Sequence, residues 1–246
     1  MKRILRPANL IWLVLAGGGI GLLLRLWLFA TRAETTGLLA ASHPAKPLLW
    51  LVTAAVVAAV VWCTKDLEQG AKYRFNFPTS PLGALGCALG AASIGITSVA
   101  EWITYPDALT VVSSLLGILS ASALVFLAKN RQDGQRQSVL YHTVICAYLM
   151  FRLVSQYRHW SGDPQLMDYC FQLLASVCLL LSVYQNAAFD VRQGNRKLHT
   201  IFHMGAVYFS CLSLVSIGDA VFYLGTGIWM LTNICNLTPM PRREAE

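Results

Sequence analysis

Apolar runs of membrane-spanning length recur along the whole chain, and this feature limits the possible folds more than any other. A helix needs about 20 apolar residues to cross the hydrocarbon of a bilayer. Eight segments approach that length, at 8–30, 47–64, 81–104, 108–128, 138–157, 166–188, 198–216 and 219–236. Lipid cannot satisfy backbone polar groups, so each segment is expected to be helical. The sequence therefore predicts an all-α fold, a polytopic membrane helix bundle with about eight transmembrane helices.

Composition supports the same class of protein. Hydrophobic residues make up 56% of the chain and charged residues 13%, far from the balance of a soluble domain. No sizeable soluble domain fits between the apolar runs, so residues 1–246 are expected to form a single integral membrane domain. The last two runs together span about 40 residues, too long for one crossing. We therefore predict a tight turn at Gly218 and Asp219.

The distribution of positive charge predicts the orientation. Lys and Arg collect in the cytoplasmic loops of membrane proteins. The termini and the loops on their side carry fourteen of these residues, whereas the loops on the other side carry three. This asymmetry predicts a multi-pass protein of the cell membrane with both termini in the cytoplasm. It also explains the formal charge of +7 without nucleic acid, leaving the lipid bilayer as the expected partner.

Five ionisable residues are predicted at one level, near the outer ends of the helices: Arg25, Glu101, Arg152, Asp168 and Asp219. A charged group in hydrocarbon costs several kcal/mol unless it is paired or hydrated. Arg152 lies at least one turn inside its helix and therefore needs a partner or water. One interpretation is an outward-facing polar cavity, with the arginines as ligands for a small anionic or zwitterionic solute. The alternative is a set of helix caps and snorkelling arginines at the interface.

A second group of four residues is predicted near the cytoplasmic surface. His199 and His203 are four residues apart, and His142 and Cys146 repeat this spacing on another helix at similar depth. Four nitrogen and sulphur ligands suit the tetrahedral geometry of zinc, so a metal site is one hypothesis. The alternative is histidines at the interface, hydrogen-bonded to Gln185, Asn186 or carbonyl groups.

No sequence motif defines a reaction. The chain has no GxxxxGK[ST], GxSxG, HExxH or CxxC pattern, which weighs against the common enzyme classes. We expect small-solute transport or solute binding through the outer polar cavity. Two alternatives stay open: a sensor or assembly subunit without catalysis, and a metal-dependent membrane enzyme that uses the inner His/Cys group.

Two GxxxG spacings bear on assembly. Gly17–Gly21 and Gly86–Gly90 allow close approach of helix backbones. Such spacings are common in membrane helices, so we expect packing within the chain rather than dimerisation. A membrane-protein partner or a homo-oligomer stays open.

Overall fold

A computed structural model describes residues 7–31, 43–65, 67, 76–77, 79–104, 107–135, 137–160, 169–216 and 218–237. Within these residues the chain is all-helical and has no strand. Its eight helices are α1 (Pro7–Ala30), α2 (Ala45–Cys63), α3 (Pro81–Thr104), α4 (Ala108–Gln132), α5 (Val139–Trp160), α6 (Cys170–Asp190), α7 (Arg196–Ser213) and α8 (Ala220–Cys235). Each predicted segment corresponds to one helix. The predicted break lies between α7 and α8, where Asp219 N donates to Ser216 O at 3.2 Å.

Six helices, α1 to α6, are long and apolar enough to cross a membrane. The 16-residue α8 is apolar but shorter. Large apolar side chains lie on the outer surface of the bundle, including Trp12, Trp62 and Ile103, whose exposed fractions are 71%, 77% and 78%. Such a surface is unfavourable in water and favourable against lipid tails. The fold is therefore that of a multispanning membrane protein.

Six of the helices form a closed ring. Each helix from α3 to α7 packs against the next one in sequence, and α8 closes the ring by packing on both α7 and α3. The hairpin of α1 and α2 lies outside this ring and packs mainly through α1 on α7. Helix α3 runs antiparallel to α4 and to α8, because Gly83 in its first turn lies beside Arg131 at the end of α4 and Asn236 at the end of α8.

Helix α7 is the most enclosed element, and this explains its polarity. It contacts α1, α2, α6 and α8, and most of its residues are buried. Its polar residues, among them Thr200, Ser210 and Ser213, therefore face other helices rather than lipid. A helix that other helices shield from lipid does not need apolar residues on all of its faces. This shielding explains why α7 is not among the six long apolar helices.

Both GxxxG spacings pack within the chain, as predicted. A Cβ atom built on Gly17 would lie 2.5 Å from the Val56 side chain of α2, and one on Gly21 would lie 2.8 Å from Leu212 of α7. Gly86 and Gly90 face α8, and a Cβ on Gly86 would overlap the Thr232 side chain. Because glycine has no side chain, these two positions allow the backbone of α3 to approach α8 closely.

Candidate functional site

Three of the ionisable residues predicted at the outer level form one ion network, which we call the Arg152 network: Glu101, Arg152 and Asp219. Arg152 Nη1 donates to Glu101 Oε1 at 2.5 Å, and Nη2 donates to Asp219 Oδ1 at 2.6 Å. Arg152 comes from the interior of α5, Glu101 from the last turn of α3, and Asp219 directly precedes α8. The network therefore joins three helices of the ring at one end of the bundle, the Arg152 end.

The guanidinium of Arg152 is deeply enclosed. Only 3% of the Arg152 side chain is exposed, against 31% for Glu101 and 20% for Asp219. The guanidinium carbon lies 4.3 Å from the centre of the Phe222 ring, within cation–π range. Asp219 is the N-cap residue of α8, but its side chain makes no capping hydrogen bond. Its carboxylate accepts a hydrogen bond from Arg152 instead. The side chain of Asp219 therefore does not act as the helix cap that the alternative interpretation expected.

The network carries a net charge of −1 when both carboxylates are ionised. Two of the guanidinium nitrogens are already bonded to carboxylates of the protein. An anionic ligand would have to displace one of these carboxylates before it could bind Arg152 directly.

Arg25 lies at the same end but belongs to a different site. Its Nη1 donates to the Leu212 carbonyl of α7 at 2.8 Å, and its guanidinium lies over Phe29 and Phe171. It lines a cavity of about 170 Å³, which also contacts Lys46 and Trp50. The structure thus separates Arg25 from the Arg152 network. The fifth predicted residue, Asp168, lies outside the described residues.

The opposite end of the bundle, the His199 end, contains the two histidines of α7. Asn195 begins this helix by accepting hydrogen bonds from Lys197 N and Leu198 N at 3.0 and 3.4 Å. The His199 and His203 rings lie on successive turns, with their centroids 3.8 Å apart and their planes tilted by 36°. Neither side chain is exposed. They are enclosed within the bundle.

The hydrogen bonding of the two histidines is incomplete. His203 Nδ1 donates to the His199 carbonyl at 2.8 Å, which leaves Nε2 as an acceptor in the neutral ring. His203 Nε2 and both ring nitrogens of His199 have no hydrogen-bond partner. Around them lie the Phe77 and Phe189 rings, each with its centroid 5.4 Å from that of His199. Buried polar atoms without partners are costly, and a bound water or ligand would lower that cost.

The other two members of the predicted zinc group have different surroundings. His142 Nδ1 lies 3.4 Å from Asp190 Oδ2 at the end of α6. Cys146 packs against the hydrophobic core. In the part of the chain that the structure describes, no group of three or more His, Cys, Asp or Glu residues is arranged to hold a metal ion.

Sequence reasoning missed Arg131, a residue of the last turn of α4. It was counted among the basic loop residues, yet only 5% of it is exposed. Its guanidinium lies 4.9 Å from the centre of the Phe77 ring, and its Nε and Nη1 atoms have no hydrogen-bond acceptor. Arg131 is close in sequence to other Lys and Arg residues. A count of positive charges in loops cannot separate a buried arginine from exposed ones.

Comparison of the chain with protein-family profiles, with curated proteins and with solved structures finds no match. The class of the protein therefore follows from its own helices and surface: it is a multispanning membrane protein.

Proposed function

We propose that the protein binds a small polar solute inside the helix ring and carries it across the cell membrane, with the Arg152 network holding one end of the ring closed. In this proposal all eight helices cross the bilayer and both termini are cytoplasmic. The Arg152 end then faces outward. The excess of Lys and Arg in the loops on the side of the termini supports this orientation.

The observation that carries the proposal is the bonding of one buried arginine to carboxylates on two other helices. Burying such ions costs several kcal/mol of desolvation, and apolar side chains often hold helices together equally well. An ion network differs from apolar packing because water or a competing charged group can break it. A closure that must open repeatedly benefits from this property.

The exposure of the network also supports a closure. Glu101 and Asp219 are partly exposed while Arg152 is not, so an approaching solute meets the carboxylates first. The ammonium group of a zwitterion can bind these carboxylates, and its carboxylate can then bind the released guanidinium. A zwitterionic solute can thus replace both interactions, whereas an anion can replace only one side of the network.

The test is uptake into liposomes that contain the purified protein. Labelled amino acids and small carboxylates are offered, with neutral sugars for comparison. We expect at least one charged solute to enter faster than into protein-free liposomes, and the Arg152→Gln variant to lose this uptake. Arg158→Gln is the matched control, because Arg158 is an exposed arginine of the same helix. The absence of uptake across the panel, or equal uptake by Arg152→Gln, would contradict the proposal.

A further inference from the structure

The guanidinium of Arg131 is buried without an ion pair to any described carboxylate. Among the described residues, the ion pairs are those of His142 with Asp190 and of Arg152 with Glu101 and Asp219. Arg131 contacts the face of Phe77 instead, and its Nε and Nη1 atoms lack acceptors. The N–H groups of these two nitrogens point to different edges of the guanidinium, and each can donate to an oxyanion oxygen.

The N-terminus of α3 lies against the same guanidinium. Pro81 begins this 24-residue helix, and the Ser80 hydroxyl accepts a hydrogen bond from Gly83 N at 3.3 Å. A Cβ atom built on Gly83 would lie 3.1 Å from Arg131 Nη1 and would overlap Asn236 Nδ2. The missing side chain thus lets Arg131 and Asn236 lie directly against the first turn of α3, an arrangement that we call the cradle.

Asn236, which follows α8, supplies a further donor. The Ser80 hydroxyl donates to Asn236 Oδ1 at 2.7 Å, which fixes the orientation of the amide group. The Nδ2 atom then lies next to the cradle and has no hydrogen-bond partner. The residue is 9% exposed, so water has little access to this donor.

The charges at this cradle favour an anion. The N-terminus of a helix carries roughly half a positive elementary charge, and a buried guanidinium adds a full one. Pro81 has no N–H, and the N–H groups of Gly83 and Ala84 are bonded to Ser80. The helix N-terminus therefore contributes its positive dipole, while Arg131 and Asn236 supply the hydrogen bonds. We propose that Arg131, Asn236 and the N-terminus of α3 form a binding site for a phosphate group.

The phosphate group can belong to a soluble molecule or to the headgroup of a phospholipid, because the site lies at an end of the bundle. The proposal does not depend on transport. It requires only that a phosphate group replaces the acceptors that Arg131 and Asn236 lack within the protein.

The first test is binding of inorganic phosphate to the full-length protein, purified in detergent without phosphate. Isothermal titration and thermal unfolding are measured against sodium chloride of equal ionic strength. We expect saturable phosphate binding and a melting temperature that rises with phosphate but not with chloride. Arg131→Gln is expected to weaken binding roughly tenfold or more, because it removes the charged fork. Lys129→Gln is the matched control, since Lys129 is an exposed cation of the same last turn.

Two further variants test the cradle itself. Gly83→Ala fills the space beside Arg131 Nη1, and we expect a loss of phosphate binding similar to that of Arg131→Gln. Gly95→Ala is its control in the same helix, because a Cβ there makes only an ordinary 3.7 Å contact with Ala121. Asn236→Asp provides Arg131 with an internal carboxylate. We expect this variant to be at least as stable as the wild type and to be insensitive to phosphate.

The second test identifies a lipid source. The protein is placed in nanodiscs of phosphatidylcholine with and without phosphatidic acid, and the lipids it retains are measured by native mass spectrometry. Retention of phosphatidic acid that is lost in Arg131→Gln supports a lipid headgroup, and binding of free phosphate in the first test supports a soluble ligand. If neither inorganic phosphate nor phosphatidic acid binds in an Arg131-dependent manner, the proposal is wrong.

Discussion

The two ends of the bundle each contain a buried arginine, but the two residues have opposite surroundings. Arg152 is bonded to two carboxylates at 2.5 and 2.6 Å. Arg131 is similarly buried and lies over the Phe77 ring and beside Gly83, without an acceptor for Nε or Nη1. Carboxylates bind Nη1 and Nη2 of Arg152 and leave only its Nε without an acceptor, whereas no described carboxylate pairs with Arg131. We infer that the first end holds the helices together and that the second end is prepared for a ligand.

The same two helices, α3 and α8, connect these ends. Helix α3 carries Gly83 in its first turn and Glu101 in its last turn, while Asp219 and Asn236 flank the two ends of α8. The contact between the helices is set by Gly86 and Gly90. A single pair of packed helices therefore spans the distance between the two ends.

The largest effect on stability is expected from Arg152→Gln. Removing the guanidinium leaves Glu101 and Asp219 close together without a cation, and breaking a buried ion pair in this way costs about 3–5 kcal/mol. Denaturant unfolding followed by circular dichroism measures the loss. Adding Glu101→Gln and Asp219→Asn removes the unpaired charges and should restore most of the stability. A loss below about 1 kcal/mol for Arg152→Gln would show that the network does not hold the helices.

A smaller loss is expected from Gly86→Ala. The new methyl group would overlap Thr232 and push α3 away from α8. Overpacking of this kind costs about 1–3 kcal/mol. The matched control is again Gly95→Ala, which should leave stability within about 1 kcal/mol because alanine favours helices and has room there. Equal stability of the two variants would mean that the contact between α3 and α8 adapts freely.

The smallest effect on stability is expected from Arg131→Gln. The substitution removes a cation–π contact worth about 0.5–2 kcal/mol, but it also removes a buried charge without a protein acceptor. The two contributions oppose each other, so unfolding in phosphate-free buffer should change by about 1 kcal/mol or less. A loss as large as that of Arg152→Gln would remove the difference between the two arginines.

The fold was largely predictable because its physical cause is local. Each apolar run must be helical in lipid, and the predicted boundaries of 81–104 coincide with α3, while 8–30 differs from α1 by one residue. The pairing of helices was not predictable, because several arrangements of a bundle satisfy the same runs. Helix α7 shows the limit: its polar residues are explained only by the four helices that surround it.

The sequence predicted the depth of the candidate site residues along the helices, but not which neighbouring helix each side chain faces. Glu101, Arg152 and Asp219 were expected at one level, and the structure brings them together. Arg25 was expected with them, but α1 packs on α7 outside the ring, where Arg25 contacts Leu212. Arg131 could not be distinguished from exposed basic residues, since its burial depends on Phe77 and on contacts at the end of α8.

Amide hydrogen–deuterium exchange in nanodiscs tests the difference between the two ends most directly, and it requires no knowledge of the solute. Wild type, Arg152→Gln and Arg131→Gln are compared peptide by peptide. In Arg152→Gln we predict exchange at least roughly tenfold faster in the last turn of α3 and the first turn of α8, because a stability loss of about 1.4 kcal/mol already gives that factor. The first turn of α3 should be unchanged in this variant, and Arg131→Gln should not affect the Arg152 end. Equal exchange in wild type and Arg152→Gln, or a uniform increase at both ends, would contradict the assignment of the closure to the Arg152 network.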